Sequence, residues 1–327
     1  MIKKILITGG AGYVGSSLTD ALIEKGYEVT VIDLLIYGEN VFKNHEKVNL
    51  IKGDIRDQNL LKKIIPGQDA VIHLACISND PSFELNPLLG KSINLDAFEP
   101  LVKISKDNGV KRFVYASSSS VYGIKDERDV HEKMELKPLT DYSKFKANCE
   151  DILLKYNSKN FNAVVIRPAT VCGYSLRQRF DLVVNILTNL ALNKKPITVF
   201  GGNQLRPNIH IKDMIRIYLT SLEIDENLIN GKIFNAGYDN HKVIDLAEIV
   251  RQNIGSDTEV IVSESNDNRS YHISSKKIKE ELGFVNKYDI SDAVKDIKDA
   301  YLNNQYFNSL TNEFYFNVKM MKKIELK

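Results

Sequence analysis

A tyrosine and a lysine four residues apart, Tyr142 and Lys146, could together move a proton to or from an alcohol. Residues at positions i and i+4 share one helix face, so the Lys146 ammonium can lie beside the Tyr142 ring. A free phenol has a pKa of about 10. A neighbouring positive charge lowers that pKa, so we expect Tyr142 to act as a base toward a hydroxyl. Exposed helix faces often carry such a pair, so the surrounding sequence has to decide.

A run of serines lies upstream of this pair. Ser117 to Ser120 follow the apolar segment 113–116 and precede Val121, Tyr122 and Gly123. In open α/β sheets, ligands bind at the carboxyl ends of the strands. A serine hydroxyl there can bond a substrate oxygen and stabilise developing negative charge. The alternative interpretation is an ordinary polar loop.

A glycine-rich turn stands near the start of the chain. Gly10, Gly12 and Gly15 satisfy G-x-G-x-x-G between a short apolar run and an amphipathic segment. This spacing lets the backbone approach a pyrophosphate, which the free N–H groups of the helix then bind. Asp33 stands where an acid accepts hydrogen bonds from the adenosine ribose. Residues 34–37 include no Arg or Lys for a 2′-phosphate, so the sequence predicts NAD rather than NADP.

The elements that must position these groups alternate through the first part of the chain. The segments predicted as strands are 5–7, 29–32, 48–51, 70–74, 113–116 and 164–166. The segments predicted as helices are 14–25, 57–65, 92–107 and 140–157. Such alternation predicts an α/β fold with a doubly wound parallel sheet of the Rossmann type.

The pattern is less regular beyond Pro168. One strand is predicted at 197–200, and the predicted helices are 180–193, one beginning at 212, 243–253, 275–282 and 290–302. We therefore predict a dinucleotide-binding domain over 1–170 and a smaller mixed α/β substrate domain over 171–327, part of which returns to the first sheet.

Composition excludes several classes of protein. The chain has 327 residues and a net charge of +2, too small for a dedicated nucleic-acid binder. Cys76, Cys149 and Cys172 are far apart, so we expect neither a disulfide framework nor a zinc site, and we expect a cytoplasmic location. No apolar stretch approaches the roughly 18 residues of a membrane span. The basic end of the chain is expected to be a solvated terminus: Lys319, Lys322, Lys323 and Lys327.

The glycine turn, the serine run and the Tyr142–Lys146 pair together resemble the extended short-chain dehydrogenase/reductase family, specifically its NAD-dependent nucleotide-sugar epimerases and dehydratases. The resemblance covers nearly the whole chain. It implies that Ser118 and Tyr142 are catalytic, with Tyr142 as general base or acid. It also implies that Lys146 is the partner of Tyr142 and holds the nicotinamide ribose.

The resemblance also implies a set of cofactor contacts. Asp54 and Ile55 resemble the adenine contacts, and the segment 73–76 resembles the motif of the fourth strand, with His73 as a core histidine. Asn94 stands where the family has an asparagine that braces the active site. The residues expected to bind NAD are Gly9, Gly12, Tyr13, Val14, Gly15, Asp33, Asp54, Ile55, Leu74, Ala75, Asn94, Ser117, Tyr142 and Lys146.

On the substrate side the resemblance implies contacts to a nucleotide-diphosphate sugar. Asn185 is expected at the diphosphate, an edge strand at the nucleotide base, and two arginines as diphosphate clamps, which suits their planar forks. Each arginine could instead form a surface ion pair. Thr170 stands where the family usually has asparagine. The expected substrate contacts are Ser118, Thr170, Asn185, Thr198, Phe200, Arg206 and Arg269.

The reaction is harder to predict than the fold. Dehydratases of this family usually carry Asp-Glu directly after the catalytic hydroxyl residue, at the positions of Ser119 and Ser120 in this chain. The 3,5-epimerase/reductases carry a cysteine at the position of Ser120. We therefore expect an epimerase that transiently oxidises a sugar hydroxyl, at C4. A nucleotide-sugar dehydrogenase or ketoreductase, a 4,6-dehydratase and an NAD-binding regulator stay open. By analogy we expect a homodimer formed through the helices at 92–107 and 140–157.

Overall fold

The computed structural model of the chain describes residues 2–255, 257–264 and 270–324. Its strands are β1 (Lys4–Thr8), β2 (Glu28–Asp33), β3 (Val48–Lys52), β4 (Ala70–His73), β5 (Arg112–Ala116), β6 (Asn162–Pro168), β7 (Thr170–Cys172), β8 (Ile197–Phe200), β9 (Leu205–His210), β10 (Lys232–Ala236), β11 (Asp239–Lys242) and β12 (Val260–Ser263). Its α-helices are α1 (Tyr13–Glu24), α2 (Gln58–Ile64), α3 (Asp80–Phe83), α4 (Pro87–Lys91), α5 (Phe98–Asp107), α6 (Asp141–Tyr156), α7 (Val183–Leu192), α8 (Ile211–Glu223), α9 (Glu226–Ile229), α10 (Val243–Ile254), α11 (Lys276–Leu282), α12 (Ile290–Leu302) and α13 (Asn317–Ile324).

A parallel sheet forms the centre of the molecule. Within the described ranges it has seven strands in the order β3-β2-β1-β4-β5-β6-β10. The buried run Ile5, Leu6 and Ile7 places β1 in the middle, paired with β2 on one side and β4 on the other. The strand order reverses between β1 and β4, which is the switch point where open α/β sheets bind ligands. The predicted doubly wound Rossmann sheet is thus confirmed.

The remaining strands form a smaller, mixed layer. In the described residues β11, β9 and β7 make one sheet, in which β9 runs antiparallel to β11 and parallel to β7, and β12 pairs with β8. Helices α7, α10 and α12 pack around Val184, Leu246 and Val294. The chain returns to the central sheet through β10, which pairs with β6, while the domain boundary at residues 170 and 171 stays a prediction.

One expectation about helices was wrong. The predicted helix at 92–107 is divided, because a π-helical turn at Ser92–Asp96 precedes α5. The basic end of the chain forms α13, whose Met320 is buried while Lys319, Lys322 and Lys323 are exposed to solvent as expected; Lys327 lies outside the described residues. No helix in the described part of the chain is long and apolar enough to cross a membrane.

Candidate active site

A cavity of about 550 Å³ opens at the carboxyl ends of β1, β4 and β5. Its volume lies in the range typical of small-molecule sites, roughly 300–1,000 Å³. Both the central sheet and the smaller layer contribute to its walls. The expected cofactor residues that line it are Gly9, Gly12, Tyr13, Val14, Gly15, Asp33, Asp54, Ile55, Leu74, Ala75, Ser117, Tyr142 and Lys146.

The glycine turn packs closely against neighbouring backbone and precedes a helix end with free N–H groups. Gly9 has a φ of +73°, and a Cβ there would lie 2.6 Å from the backbone nitrogen of Ala75. A Cβ on Gly15 would lie 2.4 Å from the carbonyl oxygen of Gly9. Helix α1 begins after Gly12 without a side-chain cap and without an acidic residue in its first turn. Its free N–H groups and positive dipole end therefore suit an anion such as a pyrophosphate.

Asp33 closes β2 at the edge of the cavity. Its carboxylate accepts hydrogen bonds from the backbone N–H groups of Ala11, at 3.0 Å, and Leu35, at 2.8 Å. Burial raises the pKa of Asp33, and these two hydrogen bonds and the charge of Arg177 oppose that rise. The carboxylate is held in a fixed orientation, as a ribose acceptor would require.

Asp54 and Asn94 make their principal bonds within the protein. Asp54 pairs with Arg56 at 2.6 Å; burial works to raise the pKa of Asp54, but the hydrogen bonds and charge of Arg56 hold it below its usual value. The Asn94 side chain accepts from the N–H of Ile77 at 2.8 Å and donates to the carbonyl oxygen of Ile77 at 3.0 Å. Asn94 is not among the residues that line the cavity; its bonds to Ile77 brace the loop after β4, and its contact with the cofactor stays a prediction.

The three expected catalytic residues meet at the end of β5. Thr140 caps α6, which places Tyr142 and Lys146 one turn apart at the cavity wall. Ser118 lines the cavity with them, and its side chain works to lower the pKa of the Tyr142 phenol. The Lys146 ammonium donates to the carbonyl oxygen of Ala116 at 2.7 Å and lies 5.8 Å from the centre of the Tyr142 ring.

Burial dominates the electrostatics of Tyr142 in the protein alone. It raises the pKa of Tyr142 well above its usual value, and Cys76 and Asp80 add to the rise, while Arg179 and Ser118 oppose it. The lowering of this pKa by Lys146 together with the positive charge of a bound nicotinamide stays a prediction.

A chain of hydroxyl groups leads away from Ser118. Ser118 and Ser120 are joined at 2.8 Å, Ser120 and Ser143 at 2.8 Å, and Ser143 and Thr140 at 3.0 Å. The chain ends at the carboxylate of Asp80, 2.6 Å from the Thr140 hydroxyl. Asp80 also lines the cavity and was missed from sequence, where the only signal was an acid shortly after the β4 motif.

A buried ion pair supports the floor of the site. Glu150 and Arg167 approach to 2.6 Å, with side chains 2% and 3% exposed. The Ser117 hydroxyl donates to Glu150 as well, and Arg167 donates to the Tyr122 hydroxyl at 2.7 Å. Ser117 lines the cavity as expected, but its hydroxyl fixes the end of β5 to α6.

The expected substrate contacts divide into two groups. Thr170 and Arg206 line the cavity together with Ser118, and the Arg206 guanidinium lies over the ring of Tyr271 at 5.8 Å. The other expected contacts that the structure describes do not line the cavity: Asn185, Thr198 and Phe200. Thr198 and Phe200 lie on β8, and the Phe200 ring is 60% exposed. Arg269 lies outside the described residues.

Asn185 has a different environment from the one expected. It is fully buried; its carbonyl oxygen accepts from the N–H of Gly173 at 3.0 Å, and its amide donates to the carbonyl oxygen of Arg179 at 2.9 Å and to the Tyr13 hydroxyl at 3.1 Å. These bonds hold the segment between β7 and α7. That segment brings two arginines missed from sequence, Arg177 and Arg179, into the cavity wall.

The fold and the cavity define a Rossmann-type enzyme that binds a dinucleotide. The family model described as the NAD dependent epimerase/dehydratase family matches residues 5–237. The chain therefore belongs to the NAD-dependent epimerase/dehydratase family, it is an enzyme, and NAD is its cofactor. The extended short-chain dehydrogenase/reductase resemblance is confirmed.

Several known proteins are similar over most of this chain. A UDP-glucose 4-epimerase of Streptococcus mutans is 28% identical over 311 residues, 87% of this chain and 92% of that protein. A dTDP-D-glucose 4,6-dehydratase of Dictyostelium discoideum is 32% identical over 260 residues, 73% of this chain and 59% of that protein. The structure of a UDP-glucose 4-epimerase from Thermotoga maritima with UDP-glucose is 25% identical, with a TM-score of 0.83 over 93% of this chain and 100% of that one.

Proposed function

We propose that the chain is a nucleotide-sugar epimerase that inverts the configuration at C4 of the sugar. The observation that carries this proposal is that Ser118, Tyr142 and Lys146 line the same cavity as the glycine turn. A base, a hydroxyl donor and a dinucleotide site thus share one cavity. Alcohol oxidation requires these parts, and epimerisation by transient oxidation requires no further acid–base group.

Each group of this chain has a defined task in that reaction. Tyr142 removes the proton from the sugar hydroxyl, and Ser118 bonds the same oxygen as it becomes a carbonyl. Lys146 lies next to the phenol and favours its ionised form. Bound NAD would supply the hydride acceptor and donor for the sugar carbon, and the positive charge of its oxidised form would add to that of Lys146 beside Tyr142. Tyr142 then gives the proton back to the sugar oxygen.

The serine run favours epimerisation over dehydration. The two residues after Ser118 are Ser119, which is buried, and Ser120, whose hydroxyl is bonded to Ser118 and Ser143. Neither carries the carboxylate that would remove a proton beside the ketone and expel water. Asp80, the carboxylate at the end of the hydroxyl chain, bonds Thr140. These contacts support a role for Asp80 in tuning Tyr142.

The residues on the substrate side support a nucleotide diphosphate as the group that is attached to the sugar. Arg206 lines the cavity, held over Tyr271, where its planar fork can bond two phosphate oxygens. The exposed Phe200 ring provides a surface on which a nucleotide base can stack. UDP-sugars are the class to test first, because the similar epimerases of Streptococcus mutans and Thermotoga maritima act on UDP-glucose.

The test is incubation of the purified enzyme with UDP-glucose, UDP-galactose, UDP-N-acetylglucosamine and dTDP-glucose, followed by proton NMR of the sugars and absorbance at the NADH band. We expect one of these sugars to give its C4 epimer without stoichiometric NADH. Tyr142→Phe should lower turnover by at least about 100-fold, because general acid–base catalysis contributes that much. The control is Tyr301→Phe, on α12 outside the cavity lining.

Four results would overturn the proposal. A 4-keto-6-deoxy product would make the enzyme a dehydratase. A released ketosugar with one NADH per turnover would make it a dehydrogenase. Undiminished turnover in Tyr142→Phe would remove Tyr142 from the reaction, and a chain that binds NAD but converts no sugar in a broader panel would fit a regulator.

A further inference from the structure

The segment between β7 and α7, residues 173–182, crosses the cofactor side of the cavity, and we call it the strap. The Tyr13 hydroxyl donates to the carbonyl oxygen of Gly173 at 2.7 Å. Ser175 donates to the carbonyl oxygen of Tyr13 at 2.8 Å and is 2.9 Å from the Ser16 hydroxyl. Tyr13 and Ser16 belong to the first turn of α1. The strap is therefore fastened to the helix end that is expected to bind phosphate.

Arg177 of the strap is a buried cation with hydrogen-bonding capacity to spare. Its side chain is 1% exposed, yet it lines the cavity. One nitrogen donates to the Asn317 side chain at 2.6 Å, and the guanidinium carbon lies 3.4 Å from the centre of the Tyr37 ring. Nε and Nη1 have no acceptor in the described part of the chain. Burial lowers the pKa of Arg177 to about 10, and Tyr37 and the charge of Asp181 only partly offset this effect.

Arg179 repeats this arrangement two residues later. It is 8% exposed and lines the same cavity. Nε donates to Asp181 at 2.8 Å and Nη1 to the Ser78 hydroxyl at 3.2 Å, whereas Nη2 finds no acceptor among the described residues. Each guanidinium group thus has some nitrogens that donate to the protein and at least one nitrogen without an acceptor among the described residues. Burying these N–H donors without acceptors costs free energy. A ligand that brings hydrogen-bond acceptors into the cavity would remove that cost.

The contacts of the two arginines indicate which acceptor this is. Arg177 lies over the ring of Tyr37, in the loop that follows Asp33, the expected ribose acceptor. Arg179 donates to Ser78, in the loop after β4, and lines the same cavity as Tyr142. A dinucleotide that runs from Asp33 to Tyr142 has its pyrophosphate between these ends. An anion with several oxygens there suits two planar forks.

We propose that Arg177 and Arg179 bind the pyrophosphate of NAD together with the glycine turn, so that the strap holds the cofactor in the enzyme through repeated turnovers. The retention rests on the proposed epimerase function, because an enzyme that returns the hydride has no need to exchange NAD. The anion contact does not rest on it. Asn185 is then a positioning residue, since its amide bonds the backbone of Gly173 and Arg179.

The experiment measures NAD and not sugar turnover. Wild type, Arg177→Gln, Arg179→Gln and the double variant are purified identically, and NAD per chain is determined after rapid gel filtration and again after extended dialysis. Charged hydrogen bonds of about 1.5–3 kcal/mol predict that each single variant raises the NAD dissociation constant about 10- to 100-fold. The wild type should retain NAD through dialysis, and the double variant should lose it.

Two control variants separate this role from others. Arg128→Gln removes a charge from an exposed position and should leave NAD retention at the wild-type level. Arg206→Gln removes the expected substrate clamp and should raise KM for the sugar nucleotide without releasing NAD. Ser118→Ala, at a residue expected to bind the substrate and not the cofactor, should lower epimerisation while NAD stays bound, so failure of the proposed function and failure of this inference give different results.

Thermal melts address a purely structural role. Arg177→Met keeps an apolar stem over Tyr37 but removes the buried charge and its bond to Asn317. Because Nε and Nη1 lack acceptors among the described residues, we expect the melting temperature without NAD to change little. The rise in melting temperature on adding NAD should shrink. The inference is overturned if the arginine variants retain NAD like wild type, if they raise only the KM for the sugar nucleotide, or if wild type loses NAD as fast as the double variant.

Discussion

The Thr140 hydroxyl lies 2.6 Å from the carboxylate oxygen Oδ1 of Asp80, at the end of the chain of hydroxyls that begins at Ser118. Thr140 also caps the helix that carries Tyr142. One residue therefore connects an acid in the cavity wall to the helix of the proposed base. The negative charge of Asp80 is one of the causes that raise the pKa of Tyr142.

Replacing Asp80 should make Tyr142 a better base at lower pH. In Asp80→Asn the charge that disfavours the phenolate is gone, so the ascending limb of the kcat/KM profile should move to lower pH, by about half a unit. The measurement is epimerisation between pH 5 and 10 on the substrate identified above. Asp96→Asn, at an exposed position, is the control. An unchanged limb, or one moved to higher pH, would contradict the assignment.

His73 gives a prediction for stability against pH. Burial lowers the pKa of His73 to about 3, helped by the charge of Lys146, while its Nδ1 is hydrogen-bonded to the Thr8 hydroxyl at 2.7 Å. An unfolded histidine has a pKa of about 6.5. Below that pH the unfolded chain binds a proton that the native chain does not. His73 therefore lowers the free energy of unfolding by about 1.4 kcal/mol for each pH unit between about 6.5 and 3.

Urea unfolding of wild type and His73→Asn at several pH values checks this. The amide of asparagine can still bond Thr8 but does not titrate in this range. The difference in unfolding free energy between the two proteins should be constant above pH 7 and should change in favour of the variant as the pH falls. A difference that stays flat down to pH 4 would show that His73 can be protonated in the folded protein.

The phosphate turn and the catalytic pair were readable from sequence because local geometry determines both. Gly9 and Gly15 have backbone atoms where a Cβ would stand, so other residues are excluded by sterics. Tyr142 and Lys146 share a helix face through their spacing alone. Such constraints leave residue types at fixed spacings, and most of the cofactor residues expected from these spacings line the cavity. The alternation of strands and helices predicted the central sheet.

The other site residues depend on tertiary structure, which no local pattern records. Arg177 is buried because Asn317, far along the chain, closes over it, whereas a loop arginine is usually solvated. Asp80 lines the cavity and bonds Thr140, which caps α6 and stands 60 positions further along the chain. The family resemblance placed Asn185 at the substrate, but the fold turns its amide toward the strap. The positions of these residues therefore depend on contacts between distant parts of the chain, which the sequence pattern does not show.

The buried Glu150–Arg167 pair should be essential for stability. In Arg167→Met the Glu150 carboxylate loses its partner in a place that water does not reach, which typically costs about 3–5 kcal/mol. Urea unfolding of the NAD-free protein measures this. The double variant Glu150→Gln with Arg167→Met should recover part of the loss, because no buried charge remains. A single variant as stable as wild type would show that the pair is not needed for folding.

A matched exposed pair provides the comparison. Lys103 and Asp107 form an ion pair on α5 with side chains 61% and 56% exposed. Solvent screens such a pair, so Lys103→Met should cause no measurable change in unfolding free energy. If both variants lost similar stability, burial would not be the reason for the effect at Arg167.

The homodimer stays a prediction, and the structure supplies the place to test it. Helices α5 and α6 pack side by side, and a shallow surface hollow beside them is lined by Leu95, Pro100 and Ile152 among charged residues. We expect two copies to pair these helices in a four-helix interface. Light scattering should then give twice the chain mass of 37.1 kDa.

Ile152→Arg, which places a charge in that interface, should shift the protein to monomer at micromolar concentration, whereas Leu228→Arg, at an exposed apolar position on α9, should not. A wild-type monomer, or a dimer that survives Ile152→Arg unchanged, would place the interface elsewhere or remove it.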